Sequence, residues 1–173
     1  GFKGLHPNLN QQIASAFIND IGITNPYFPK ETCQPTQSAC LLEAKRVHGE
    51  QSPEIPMKLL RTTEFMSAHI AVQPTRKLNS PQAQQGRTLF YQLGCQGCHQ
   101  PSFVTRNDYE LPELAGQIIW PYSDLALHDM GEGLADGKVE YRATGREWRT
   151  APLWGIGLQP RIQGYQGFLH DGR

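Results

Sequence analysis

Cys95-Gln96-Gly97-Cys98-His99 is a complete C-x-x-C-H, and it constrains the surrounding fold more than any other stretch of the chain. Two thiols three residues apart reach the two vinyl groups on one edge of a porphyrin, and the adjacent imidazole then points at the iron. The motif therefore predicts a haem c held by thioethers from Cys95 and Cys98, with His99 as proximal iron ligand. A thioredoxin-like redox pair is the first competing use of C-x-x-C. Such a pair opens a helix after a buried strand, whereas here a predicted helix runs into the motif without any parallel-sheet pattern around it. A zinc site is the second. It needs another Cys or His pair at ligand spacing, and the remaining cysteines, Cys33 and Cys40, lie far upstream.

The residues before the motif support the haem reading. Ser80-Pro81 reads as N-cap and first helical residue, and Ala83, Gly86, Leu89, Phe90 and Leu93 follow at three- and four-residue steps as one apolar stripe. That helix is expected to end at Gly94. A helix that carries Gly86 and Phe90 and runs into C-x-x-C-H resembles the first helix of class I cytochromes c. On periodicity alone it is an ordinary amphipathic core helix; its position beside the motif favours the former.

Composition narrows the class without naming it. With 38% hydrophobic residues the chain can build a core, and 16 Lys plus Arg against 16 Asp plus Glu give no basic or acidic excess to attract nucleic acid or a charged membrane surface. No apolar run approaches the roughly eighteen residues of a membrane-spanning helix. No basic-then-apolar leader opens the chain either, so it is expected to be a mature protein or a fragment. Thioether attachment of haem belongs to the compartment where exported thiols are handled, which in a bacterium is the periplasm. Cys33 and Cys40 suit that compartment as a disulfide pinning a turn-rich loop.

The expected organisation is an N-terminal extension over residues 1–78 and a haem domain over 79–173. The extension holds the Cys33/Cys40 loop, a short helix from Asn8 to Phe17, and a good helix over 57–72 carrying Met57, Leu59, Leu60, Phe65, Met66 and Ile70. The fold class is then mainly α: a cytochrome c-like haem domain with long irregular loops, preceded by that extension. Residues 100–173 are rich in glycine and proline and show few regular signals.

Two strings in this last part carry a resemblance. Arg149-Thr150-Ala151-Pro152-Leu153 matches an R-T-x-P-L segment, and Phe168-Leu169-His170-Asp171-Gly172 matches an F-x-H-D-G-like one. Together with the C-x-x-C-H they resemble the C-terminal haem domain of the bacterial di-haem c-type oxidoreductases, sometimes described as thiol-oxidoreductase-like, and more distantly the di-haem cytochrome c peroxidases and the methylamine-utilisation haem enzyme. The segments Ile23 to Cys40 and Pro53 to Pro56 resemble the same family. The resemblance implies two haems, whereas this sequence holds one C-x-x-C-H. It implies that the second haem belongs to an N-terminal domain missing from this chain, and that Arg173 stops short of a closing helix.

The sixth iron ligand decides between electron transfer and small-molecule binding. Met130, in a glycine-flanked loop, is the first candidate, against the commoner fate of a methionine as a soft core residue. Met66, His128 and His170 are weaker candidates, and by analogy with the peroxidases the ligand can lie beyond Arg173. Arg149 is a candidate for gripping a haem propionate through its guanidinium, against the alternative of a plain surface arginine. Trp148 and Trp154 can line the porphyrin, and Trp154 can lie between redox centres, although buried tryptophans usually serve packing first. His170 and Asp171 read as an orienting pair or a turn. His6, His48 and His69 have no partners at ligand spacing.

Two functions are expected from these features. One is one-electron transfer within a periplasmic di-haem oxidoreductase of peroxidase-like type, with a periplasmic donor or acceptor protein as partner. The other is a stand-alone mono-haem cytochrome c without chemistry of its own. Hydrolase motifs such as G-x-S-x-G and H-E-x-x-H do not occur.

Overall fold

In the computed structural model the described residues are 1–47 and 53–172, and they gather into two compact units. One unit is His6–Ala71. The other joins Gly1–Leu5 to the chain from Val72 onward, so the contacts divide the chain after Ala71 and the first five residues belong with the C-terminal part. His48 and Arg173 lie outside the described residues.

The His6–Ala71 unit is built on three helices, where the sequence predicts two helices and a loop. Asn8 caps the first, α1 (Leu9–Ile21), its side-chain oxygen accepting from the Gln11 N–H at 2.8 Å. Gly22 ends it in the left-handed region at φ +68°, four residues beyond the predicted end. The Cys33/Cys40 segment is only partly a loop. Cys40 sits inside α2 (Ser38–Val47), bonded to Cys33 with their Cα atoms 5.8 Å apart, an ordinary disulfide span. The third helix, α3 (Met57–Ala68), stops at His69, short of the predicted residue 72.

Helix α3 packs on α1 across a small core of Ala14, Ile55 and Leu60, with Ile13, Phe17, Ile23, Phe28 and Met57 against it. Polar groups seal its edge. Asn25, fully buried, donates to the Ala14 carbonyl at 2.9 Å, and Glu54 accepts from both the N–H (2.8 Å) and the hydroxyl (3.1 Å) of Thr24. Leu60 has no exposed surface. Truncation to alanine therefore leaves a cavity in a core with few other apolar groups, and Leu60→Ala is expected to destabilise this unit by about 2–5 kcal/mol in urea titrations followed by far-UV circular dichroism.

The second unit is mixed, so the mainly α expectation holds only in part. Its one long helix is α4 (Pro81–Gln92), capped by Ser80 as the sequence predicts, with the hydroxyl accepting from the Ala83 N–H at 3.2 Å. Beyond it come two antiparallel ladders and a five-residue helix, α5 (Gln159–Gln163). The first ladder pairs β1 (Phe103–Val104) with β2 (Ile118–Ile119). The second pairs β3 (Leu127–Asp129) with β4 (Glu147–Arg149), placing His128 opposite Trp148. Glycine- and proline-rich sequence favours such short ladders and turns over helices, since it interrupts any run long enough for helical propagation.

Lys3 fastens the first residues to this unit. Its buried ammonium donates to Asp136 Oδ1 (2.9 Å) and to the carbonyls of Lys138 (2.9 Å) and Thr144 (2.8 Å), while lying 4.2 Å from the Trp148 ring centroid. The lysine hydrogen bond holds the Asp136 carboxyl below its ordinary range. Among the described residues no helix is long and apolar enough to cross a membrane.

Candidate haem-attachment site

Gly94 makes the motif's geometry. At φ +76° it takes the chain out of α4 directly into a 3-10 turn, Cys95–Gly97, a backbone conformation that a side chain would strain. The His99 N–H then donates to the Cys95 carbonyl at 2.9 Å, closing one turn across the motif. Cys95 and Cys98 carry free, exposed thiols.

His99 is half-buried and oriented from behind. Its Nδ1 lies 2.8 Å from the Tyr122 carbonyl oxygen. A carbonyl only accepts, so Nδ1 donates, and in the neutral ring Nε2 is the nitrogen with the lone pair. That is the tautomer an iron ligand needs, and a hydrogen bond on the far nitrogen is the usual way a ligating histidine is fixed.

The carbonyl belongs to a strap, residues 122–126, that no sequence signal singled out. Main-chain bonds tie it to the motif: Asp124 N–H to the Cys98 carbonyl (2.8 Å), Ser123 N–H to that of Gln100 (2.9 Å) and Tyr122 N–H to that of Pro101 (3.4 Å). Thr150 holds it from the other side. The Ser123 hydroxyl donates to the Thr150 carbonyl at 2.7 Å, and the Thr150 N–H to the Ala126 carbonyl at 3.0 Å. Phe90 of α4 meets the Tyr122 ring edge-on, centroids 5.5 Å apart. The matched R-T-x-P-L string thus serves the motif through Thr150. The sequence "Tyr122-Ser123-Asp124" offered only a turn signature of adjacent Ser and Asp.

Asp124 is the strap's charged member. Its carboxylate accepts from the Ala126 N–H at 3.0 Å and meets His128 Nε2 at 2.8 Å. Burial pushes its carboxyl up, but the bonds from Ala126, Thr150 and His128 outweigh this and hold it below the usual carboxylate range. A carboxyl depressed in the folded state stabilises above its unfolded value near pH 4, and the contribution is lost as pH falls through the folded value. Asp124→Asn is therefore expected to lower stability by about 1–3 kcal/mol at neutral pH, with the gap to the parent chain closing below about pH 4 in thermal melts.

Met130 follows β3 and is half exposed at 45%, its N–H donating to the Arg146 carbonyl (2.9 Å) and Gly131 after it at φ +77°. Arg149 lies in β4, and its Nε donates to the Gly1 carbonyl at 3.0 Å. Trp148 is stacked flat on His170, centroids 3.4 Å apart, with Lys3 over its ring. Trp154 Nε1 donates to the Trp120 carbonyl at 2.6 Å. Met66 is exposed on α3 in the other unit, and His69 there lies tilted against the Phe65 ring with Nδ1 2.7 Å from the Phe65 carbonyl.

The donor set fits a covalent haem. Two accessible thiols, an imidazole with its outer nitrogen occupied, and an adjoining helix whose Leu89 and Leu93 stand exposed are groups that would hold a porphyrin and its iron. One metal-sized cluster overlaps it: single ligand atoms of Cys98, Asp124 and His128 all lie within 4.8 Å of one another. Thioether formation at Cys98 would withdraw its sulfur from that cluster.

A helix running into C-x-x-C-H with a clamped histidine is the arrangement at this site. The model of the family described as "Di-haem oxidoreductase, putative peroxidase" matches residues 1–173, and the chain belongs to this di-haem oxidoreductase family. No curated protein and no solved structure matches it.

Proposed function

We propose that this chain carries one haem c, bound through Cys95 and Cys98 with His99 Nε2 as proximal ligand, and that it passes single electrons within a periplasmic di-haem oxidoreductase of peroxidase-like type. The observation that carries the reading is the His99 Nδ1 to Tyr122 carbonyl bond, which leaves the ligating nitrogen free beside two exposed thiols. When bound, the haem supplies a reversible one-electron couple. The protein's residues would do the rest: Cys95 and Cys98 would hold the porphyrin, His99 would ligate the iron, and the strap would prevent the imidazole from turning.

Met130 is the proposed sixth ligand. It is half exposed and directly follows β3, whose His128 pairs with Asp124 of the strap. Arg149 remains the proposed propionate contact through guanidinium nitrogens other than Nε. The partner is a periplasmic electron donor or acceptor protein, and the second haem belongs to another part of the parent enzyme. Visible spectra of the haem-loaded protein, oxidised and reduced, with and without carbon monoxide, test the electron-transfer role. A thioether-to-iron charge-transfer band and a reduced spectrum indifferent to carbon monoxide are expected. Ready carbon monoxide binding would remove Met130 as a tight ligand and point to a haem that handles small molecules.

The Cys98, Asp124 and His128 cluster supports a second reading, a zinc-type site of thiolate, carboxylate and imidazole. Zinc retained in place of haem, and released by Asp124→Asn and His128→Ala, would favour it.

A further inference from the structure

Resting on the haem reading above, we propose that Ser123 is the positioning residue of the iron's proximal ligand: its hydroxyl, without touching His99, fixes the carbonyl that holds His99. Ser123 has no exposed surface. Its hydroxyl donates to the Thr150 carbonyl at 2.7 Å and accepts from the Leu125 N–H at 2.9 Å, so both of its capacities are used inside the strap.

The strap needs such a lock. Tyr122 and Leu125, either side of Ser123, sit at φ +53° and +58°, a left-handed conformation that costs a side-chain-bearing residue stability and persists only when its surroundings impose it. Ser123 supplies the imposition from the middle, joining the 125 amide to the 150 carbonyl through one oxygen. Without that oxygen the Leu125 N–H and the Thr150 carbonyl lose their partner, Tyr122 can relax to negative φ, and its carbonyl swings away from Nδ1.

The consequence is electronic. A carbonyl accepting from Nδ1 gives the imidazole partial imidazolate character, which strengthens Nε2 as a donor and favours ferric over ferrous iron. Loosening the strap raises the reduction potential. Simple loss of packing acts the other way, since water admitted to a haem edge favours the ferric form and lowers the potential.

The test is redox titration of the haem-loaded chain as the parent, Ser123→Ala and Ser123→Thr. The expected result is an upward shift in Ser123→Ala that Ser123→Thr, which keeps the hydroxyl, reverses. A folded, haem-loaded Ser123→Ala with an unchanged or lowered potential overturns the proposal. Should neither variant fold, hydrogen exchange of the His99 Nδ1 proton in the parent chain decides: slow exchange supports the clamp, and exchange at the rate of free imidazole overturns it. Failure of the haem reading shows separately, as a parent chain whose intact mass carries no haem.

Discussion

A chain with both Cys95 and Cys98 replaced by alanine is expected to retain no haem after denaturation, a complete loss against the parent. The effect is chemical rather than structural. Both thiols are exposed, so their removal opens no cavity, and stability is expected to stay within about 0.5 kcal/mol of the haem-free parent. Single replacements are expected to leave one thioether and a haem that is attached but less firmly oriented. Haem stain on denaturing gels, read beside urea melts, separates the two quantities. A double variant that still held covalent haem would mean attachment elsewhere in the chain.

His99→Gly has the second-largest expected effect, because one imidazole does two jobs. Its Nε2 is the proposed iron ligand, and its Nδ1 satisfies the Tyr122 carbonyl at 2.8 Å. The variant is expected to load less haem, and what does load should show a high-spin spectrum. Leaving the carbonyl without its donor adds a stability loss of about 1–3 kcal/mol. Added imidazole is expected to restore the low-spin bands without restoring the strap's stability, since a free ligand is not bound by the turn that links His99 to Cys95. Recovery of both by imidazole would place the strap outside the ligand's support.

What the sequence disclosed and what it hid differ in physical origin. The Ser80 cap, helix α4 and its exit at Gly94 follow from local rules, a capping hydroxyl, a 3.6-residue apolar period and a glycine able to take positive φ, and each is found in place. The Cys33–Cys40 pairing follows from compartment and proximity, and it too is present. Helix α2 was hidden because the disulfide loop was read through its turn residues, although Ala39, Leu41, Leu42, Glu43 and Ala44 are good helix formers.

The strap was hidden for a deeper reason. Its bonds run from residues 122–126 to 98–101 and to 150, and nearly all are made by main-chain atoms, which look alike in any sequence. Tyr122 and Leu125 take positive φ against their own preference, so local propensity points away from the structure formed. The R-T-x-P-L string drew attention to Arg149 by its charge, while the bonds to the strap come from its quieter neighbour Thr150. His128 was legible only as a weaker candidate iron ligand; its pairing with Asp124, four residues away, depends on the β3–β4 ladder and the strap that bring them together.

Covalent haem at Cys95 and Cys98 is the proposal from which the roles of His99 and the strap follow. Intact-mass spectrometry under denaturing conditions, on protein exported to a periplasm equipped for haem attachment, tests it most directly. The expected result is a chain heavier by one haem, with the modification located by proteolysis to the peptide containing Cys95 to His99. An unmodified mass with both thiols still open to alkylation would contradict it.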